Sequence, residues 1–327
     1  MANKKLTDVA ALAGVSPTTV SRVINNYGYI SQKTIDKVHK AMKELNYQPN
    51  SLARSLQGKK SQFIGIIFPS VKNPFFAELT EKIEKELFKR NYKIILCNCE
   101  KIPEKEIEYI KMLNANQVDG IITSSHNLDI EEYKKVIAPI VSFDRDYGPN
   151  IPIVSSDNYA GGQIATRALV KAGAKSIGII TGSNDTDSPT KLRLNGYLSI
   201  IKEFEMEPHV FEFKSNMNEI LKEVEIERIL KSENLDALFC TDDLAAIRVI
   251  KIAKKLNIQI PNDLKIIGYD GTELIQQLYP ELSTIMQPID DIATLLVEIL
   301  LKEINDENAN EQNQYTLNVK LLHSDTI

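Results

Sequence analysis

From Phe63 onward the chain alternates short apolar runs with longer stretches of helical periodicity, and this alternation limits its possible folds more than any other feature. The runs FIGIIF (63–68), KIILCN (93–98), GIIT (120–123), PIVSF (139–143), SIGIIT (176–181), ALFC (237–240) and KIIGY (265–269) are each too short for a helix. Between them, residues 75–90, 104–115, 158–172, 190–204, 218–231 and 243–256 carry apolar positions at helical spacing. Short strands apolar on both faces and separated by helices predict parallel sheets covered on both sides. The strand and helix steps over residues 63–327 are too many for one ordinary doubly wound sheet, so we expect two α/β lobes with a cleft between them.

In open α/β sheets, ligands sit beyond the carboxyl ends of the strands, and charged residues gather there in this sequence. Asp144-Arg145 follows PIVSF, Asp157-Asn158 follows IPIVSS, Asp242-Asp243 follows LFCT, and Asp270 follows KIIGY; Arg193 lies on the helix after the loop 182–189. Asp157 and Asp243 also fit simple helix N-caps. Asp144, Asp270 and Arg193 read as ligand contacts, because carboxylates and a guanidinium facing one cleft can hydrogen-bond vicinal hydroxyls. Phe75, Phe76 or Tyr269 could then cover an apolar sugar face. No GxGxxG or GxxxxGK[ST] motif follows any strand, which counts against a dinucleotide or nucleoside-triphosphate site. No nucleophile and base pair is evident, so we expect no catalysis and no cofactor.

The three cysteines, Cys97, Cys99 and Cys240, lie in apolar runs, and the four histidines are scattered at 39, 126, 209 and 323. Buried thiols and no metal site are expected. No run approaches the length of a membrane span and the N-terminus lacks the apolar core of a secretion signal, so a cytoplasmic protein is expected.

The first sixty residues are of another kind. In LTDVAALAGVSPTTVSRVIN (6–25), Thr7 can cap a short helix with Val9, Ala10 and Ala13 on one face, and Gly14 can end it. Ser16 and Pro17 restart a helix as N-cap and first residue. Val20, Val23 and Ile24 turn inward, which leaves Thr18, Thr19, Ser21, Arg22 and Asn25 outside. This is a helix-turn-helix whose outer face suits a DNA major groove. A third helix at 31–47, with Ile35, Val38, Met42 and Leu45 in register, gives the pair something to pack on. Residues 1–60 hold ten Lys and Arg against three Asp and Glu, net +7; subtracted from −5 for the whole chain, this leaves −12 for the body. A basic head on an acidic body is what phosphate contacts require.

Between them, NSLARSLQG (50–58) is too short to hold a helix alone in water. Leu52 and Leu56 on this basic segment need a partner. That partner can be the same segment of a second chain, a base step in the minor groove, or the following domain.

These stretches, together with NYQPNSLARSLQGKKSQFIGIIFPSVKNPFFAEL, VDGIITSS, VSFDR, VSSDNYAGG, RLNGY, FCTDDLAA, IIGYDGTE and STIMQP, resemble the LacI/GalR family of bacterial transcription repressors from about residue 5 to 323. NNYGYIS, LARSLQGKK and NQVDGII look closest to the group that controls sucrose operons in Gram-positive bacteria. The resemblance implies a small all-α helix-turn-helix head (1–48), a hinge helix or linker (49–60) and an α/β body like the sugar-binding periplasmic proteins (61–327). Each lobe of that body is a doubly wound parallel sheet: an N-lobe of about 61–157 and 288–316, and a C-lobe of about 158–287 and 317–327. Chain crossings near 158 and 288 and a return strand at 316–322 would join them.

By the same resemblance Pro17, Thr18 and Arg22 read bases. Pro17 departs from the family pattern, since it has no side-chain donor. Thr7, Ser16, Ser21 and Asn25 complete the DNA face of the head. Leu56 would pry open the central base step, with Asn50 and Ala53 facing the minor groove. Effector contacts fall on Phe75, Asp144, Arg145, Arg193, Thr241, Asp242 and Asp270; Thr241 stands where Asn is frequent, and His323 where Arg is common. No leucine heptad follows the last strand, which favours a homodimer. The expected protein is a sugar-induced or sugar-phosphate-induced repressor on a pseudo-palindromic operator, with no membrane contact. The alternatives are a regulator whose DNA binding a small molecule or phosphocarrier protein strengthens and, more remotely, an enzyme with a DNA-binding head.

Overall fold

The computed structural model describes residues 4–25, 27–48, 60–100, 102–125, 127, 130–183, 188–214, 217–306 and 313–327. The chain divides into two compact units, residues 1–61 and residues 62–327. The linker residues Asn50, Ala53 and Leu56 lie outside the described residues.

In the head, α1 (Leu6–Ala13), α2 (Pro17–Ile24) and α3 (Gln32–Glu44) enclose a core of Val9, Ala10, Val20, Val23, Val38 and Ala41. Gly14 takes φ 67° and ends α1, and the Ser16 hydroxyl accepts the Thr19 N–H at 3.1 Å to start α2. Thr7 is not the cap expected of it. Lys5 holds that position, and the Asp8 carboxylate reaches back to accept the Lys5 N–H at 2.8 Å. α3 stops short of Tyr47 because Asn46 turns left-handed, at φ 49°, and Tyr47 N–H returns to the Met42 carbonyl at 2.8 Å.

The body holds two six-stranded sheets. The first has the order β11-β5-β4-β3-β1-β2, with β1 (Phe63–Phe68), β2 (Lys93–Asn98), β3 (Gly120–Thr123), β4 (Ile140–Phe143), β5 (Ile153–Ser156) and β11 (Gln314–Leu317), all parallel. The second has the order β12-β10-β9-β8-β6-β7, with β6 (Ile177–Thr181), β7 (His209–Glu212), β8 (Ala237–Cys240), β9 (Lys265–Asp270), β10 (Ser283–Met286) and β12 (Lys320–Leu322), of which only β12 runs antiparallel. Helices α4 (Pro74–Phe88) and α11 (Ile289–Ile304) cover one face of the first sheet, and α5 (Pro103–Ala115) the other. On the second sheet α6 (Asn158–Lys171) and α7 (Pro189–Glu203) cover one face. α8 (Glu219–Ser232), α9 (Asp243–Lys255) and the short α10 (Glu273–Leu278) cover the other.

The expected return strand at 316–322 is two strands, one in each sheet. The chain therefore crosses between lobes after Ser156, around Gln287 and after Leu317, and a backbone bond from Asp157 N–H to the Leu317 carbonyl, 2.8 Å, ties the first crossing to the third. Cys97, Cys99 and Cys240 are buried thiols, as expected. Among the described residues no helix is long and apolar enough to cross a membrane, and no cluster of His, Cys, Asp and Glu could hold a metal ion.

Candidate functional site

The charged residues at the carboxyl ends of the strands converge where the lobes exchange chain. Asp144 ends β4 in the left-handed region, φ 57°, and Asp270 ends β9 at φ 111°. A side chain there leaves the strand direction and turns over the sheet edge, at a conformational cost of order 1 kcal/mol or more for a non-glycine residue. Asp144 Oδ1 accepts from the Asn158 amide at 3.2 Å and from the Ser156 N–H at 3.3 Å.

Arg193, on α7, is only 5% exposed. Its Nε donates to Asn158 Oδ1 at 2.9 Å and its Nη1 to the Thr241 carbonyl at 2.6 Å, while Nη1 lies 3.8 Å from Asp270 Oδ1. The guanidinium carbon sits 3.6 Å from the centroid of the Tyr269 ring, close enough for cation–π attraction.

Burial pushes the Asp144 carboxyl up to about 6 and the Asp270 carboxyl to about 7, with the Arg193 charge pulling both back down. Burial likewise lowers the Arg145 guanidinium, and Asp144 opposes that shift. The Arg193 guanidinium thus offsets the burial of two carboxylates at once.

Of the expected effector contacts, the structure joins Asp144, Arg193, Asp270 and the backbone of Thr241. Asp242 is the N-cap of α9, its Oδ1 accepting the Ala245 N–H at 2.8 Å. The cap expected at Asp243 moves one residue back, because Asp242 is the last extended residue, φ −152°, before the helix. Asp243 is buried in the first turn, accepting from Thr284 Oγ1 at 2.6 Å and Gly271 N–H at 2.8 Å. Burial and the neighbouring Asp270 raise its carboxyl well above the usual range. Asp157 caps α6 as expected, accepting the Ala160 N–H at 2.9 Å.

The aromatic rings named in the sequence are largely covered by protein. Tyr269 is fully buried beneath Arg193, so its ring is covered by protein rather than open to a sugar. Phe75 is buried and stacks on Phe143 at 5.4 Å, leaving Phe76 the half-buried ring of the pair. Three residues brace these charged groups by hydrogen bonds: Asn158, noted in the sequence only beside Asp157, and Ser156 and Gln287, which sequence reasoning did not single out. Asn158 bonds both Asp144 and Arg193. Ser156 Oγ donates to Gln287 Oε1 at 2.7 Å, and Gln287 Nε2 donates to Asp270 Oδ1 at 2.8 Å.

In the head, Pro17, Thr18 and Arg22 are exposed along α2, as a groove-reading face requires. Thr7 and Ser16 are exposed too, whereas Ser21 and Asn25 are half-buried and bonded to each other, Asn25 Nδ2 to Ser21 Oγ at 3.2 Å. Tyr27 and Tyr29, 70% and 99% exposed, add two phenols beside this face that sequence reasoning passed over. Phenol hydroxyls are among the groups that contact phosphates in protein–DNA complexes.

A helix-turn-helix head on a two-lobed α/β body with a polar interlobe site defines a ligand-responsive DNA-binding regulator. The family profile for bacterial regulatory proteins of the lacI family matches residues 5–50, and that for a periplasmic binding protein-like domain matches residues 166–324. The sucrose operon repressor of Streptococcus mutans is 54% identical over 323 residues, 99% of each chain. A periplasmic binding protein/LacI transcriptional regulator from Alkaliphilus metalliredigens, complexed with D-xylulofuranose, superposes with TM-score 0.74 at 33% identity over 81% of this chain and 98% of that one. The Lac repressor dimer bound to operator and the anti-inducer ONPF superposes with TM-score 0.86 at 25% identity over 99% of both. The chain belongs to the LacI family of bacterial regulatory proteins; it is a transcriptional repressor and not an enzyme.

Proposed function

We propose that this repressor works in the cytoplasm as a homodimer on a pseudo-palindromic operator of a sucrose-utilisation operon, and that a sugar or sugar phosphate bound between the lobes releases it. The observation that carries the effector half is the Arg193 cluster, where two carboxylates and a guanidinium face the junction of the lobes. Their hydrogen-bonding capacity suits the hydroxyls of a sugar. The relatives' names support sucrose metabolism as the setting.

Dimerisation is supported by the apolar surface of the second lobe. Ile220, Leu221 and Val224 on α8 are exposed, at 74%, 53% and 60%, as are Leu274 and Leu278 on α10. Clustered apolar exposure of this kind marks an interaction surface. A single eight-residue recognition helix also reads few bases, so affinity requires two half-sites. In this reading Thr18 and Arg22 carry the direct readout. The linker segments, too short to be helical alone, pair at the operator centre through Leu56 and come apart when the lobes turn.

The test is an operator titration at several salt concentrations, with and without sucrose, fructose and their 6-phosphates. Release by one of them supports induction, tightening supports a corepressor instead, and indifference to all of them refutes the effector site. Leu56→Ala should weaken operator binding by about tenfold or more, with sugar affinity retained, since one wedge residue per subunit is lost. Full operator affinity in the variant would remove the linker from the DNA contact.

A further inference from the structure

Asp144 and Asp270 belong to different lobes, yet an unbroken chain of hydrogen bonds joins them. Ser156 N–H reaches Asp144 Oδ1 at 3.3 Å, Ser156 Oγ reaches Gln287 Oε1 at 2.7 Å, and Gln287 Nε2 reaches Asp270 Oδ1 at 2.8 Å. Ser156 and Gln287 are both buried and lie 131 residues apart in sequence. Ser156 ends β5, the last strand before the first crossing; Gln287 is the second crossing itself, and its N–H also bonds the Asp270 carbonyl at 3.1 Å. The connection therefore spans the two segments about which the lobes must turn.

With Asp270 ionised, a flipped Gln287 amide would set its oxygen against the carboxylate, so the amide keeps its nitrogen toward Asp270 and its oxygen toward Ser156. Each carboxylate engages through Oδ1 alone among the described residues, which leaves Oδ2 of both for a ligand hydroxyl. At Ser156 the two links use separate groups, the N–H and the hydroxyl, so the residue couples the two ends by its position.

We infer that Ser156 and Gln287 are positioning residues that carry effector occupancy from one lobe to the other; the inference rests on the sugar-effector reading above. Neither side chain needs to touch the sugar. A ligand that draws Asp144 and Asp270 together favours the lobe arrangement in which the four groups stay in register, and an effector acts only through such a difference between two arrangements. Without the relay the sugar still binds Arg193 and the carboxylates, but the two crossings answer to it separately.

The experiment uses the full-length protein, an operator duplex and the sugar among sucrose, fructose and their 6-phosphates that gives the largest wild-type response. Calorimetry gives sugar affinity, and operator affinity at saturating sugar, divided by that without sugar, gives the release factor. Ser156→Ala and Gln287→Met should bind the sugar no more than about tenfold more weakly, yet lose about tenfold or more of the release factor at saturation. Ser156→Thr, which keeps the hydroxyl, should restore the factor to within about threefold of wild type. A merely structural role would not separate these readings: a loosened fold lowers sugar and operator affinity together, and Thr would not rescue it. Normal release by both variants at saturation overturns the relay while leaving the sugar reading intact. A wild-type protein whose operator affinity none of the sugars changes overturns that reading, and this inference with it.

Discussion

The two lobes have the same strand order and pack their principal helices in opposite ways. In the first lobe α4 and α11 meet through aliphatic side chains, Leu79, Ile83 and Leu87 sharing one core with Ile292, Leu296 and Leu300. In the second lobe α6 and α7 meet through backbone. A Cβ on Gly162 would strike the Arg193 carbonyl, and one on Gly196 would strike the Tyr159 carbonyl. Side-chain packing tolerates exchange of one aliphatic for another of similar volume, whereas backbone contact has no slack. The inflexible pair is the one that carries Arg193 and Asn158. The comparison teaches that positional precision is concentrated where the charged groups are held, and that the aliphatic pair serves as bulk core.

The comparison can be broken most directly at Arg193. Arg193→Ala removes two charge-assisted hydrogen bonds, together worth about 3–6 kcal/mol, and should abolish sugar binding by calorimetry and leave the repressor on its operator. Normal release would separate the cleft from the switch. Next in size, Gly162→Ala should destabilise the fold by about 2 kcal/mol in urea unfolding, against less than about 1.5 kcal/mol for Leu296→Met in the aliphatic pair. Equal costs would show that the glycine contact is ordinary packing.

Proton linkage comes third. Asp144 and Asp270 ionise near 6 and 7 in the sugar-free protein, and only the ionised forms accept a hydroxyl on either oxygen. Sugar affinity should therefore rise by about thirtyfold or more from pH 5.5 to 8, as the ionised fraction of Asp270 climbs, and level off above about pH 8. The sign for the unliganded fold is reversed. Raised carboxyls bind protons more tightly in the native state than in the unfolded one, so their contribution to stability falls as pH rises toward 7. Asp270→Asn should flatten both profiles, and an unchanged pH dependence in that variant would move the titrating group elsewhere.

The smallest effect belongs to an ion pair on the same two helices. Arg167 grips Glu203 with two bonds of 2.8 Å, but both side chains are well exposed. Arg167→Ala should cost about 1 kcal/mol or less by thermal unfolding. A cost rivalling that of Gly162→Ala would mean that the surface pair, not the glycine contact, clamps α6 to α7.

The sequence carried the sheets clearly where strands are apolar on both faces: FIGIIF, GIIT and ALFC are strands over the same residues. It carried less where a strand alternates in exposure or mixes polar with apolar residues. HVFE has alternate exposure and STIM mixes polar with apolar residues, so neither stands out from its flanks. The charged half of the site was readable because Asp residues follow strands, and Arg193 opens a helix that faces them. The Asp242-Asp243 pair could not be apportioned from sequence, since only the backbone angle decides which of two adjacent carboxylates caps. Ser156 and Gln287 left no local signal. Their meaning arises from a contact across two crossings, and a serine or glutamine at a strand end is common in any chain.

The triple crossing also sets an order on the birth of the molecule. The first lobe's core needs Ile292, Leu296, Val297 and Leu300, which leave the ribosome only after the whole second sheet save β12 has been made. At roughly 5–20 residues per second, the nascent first lobe waits on the order of ten seconds with one wall of its core missing, while the head upstream is already complete. A messenger truncated between about residues 61 and 289 would thus yield a finished DNA-reading head attached to a body that cannot close.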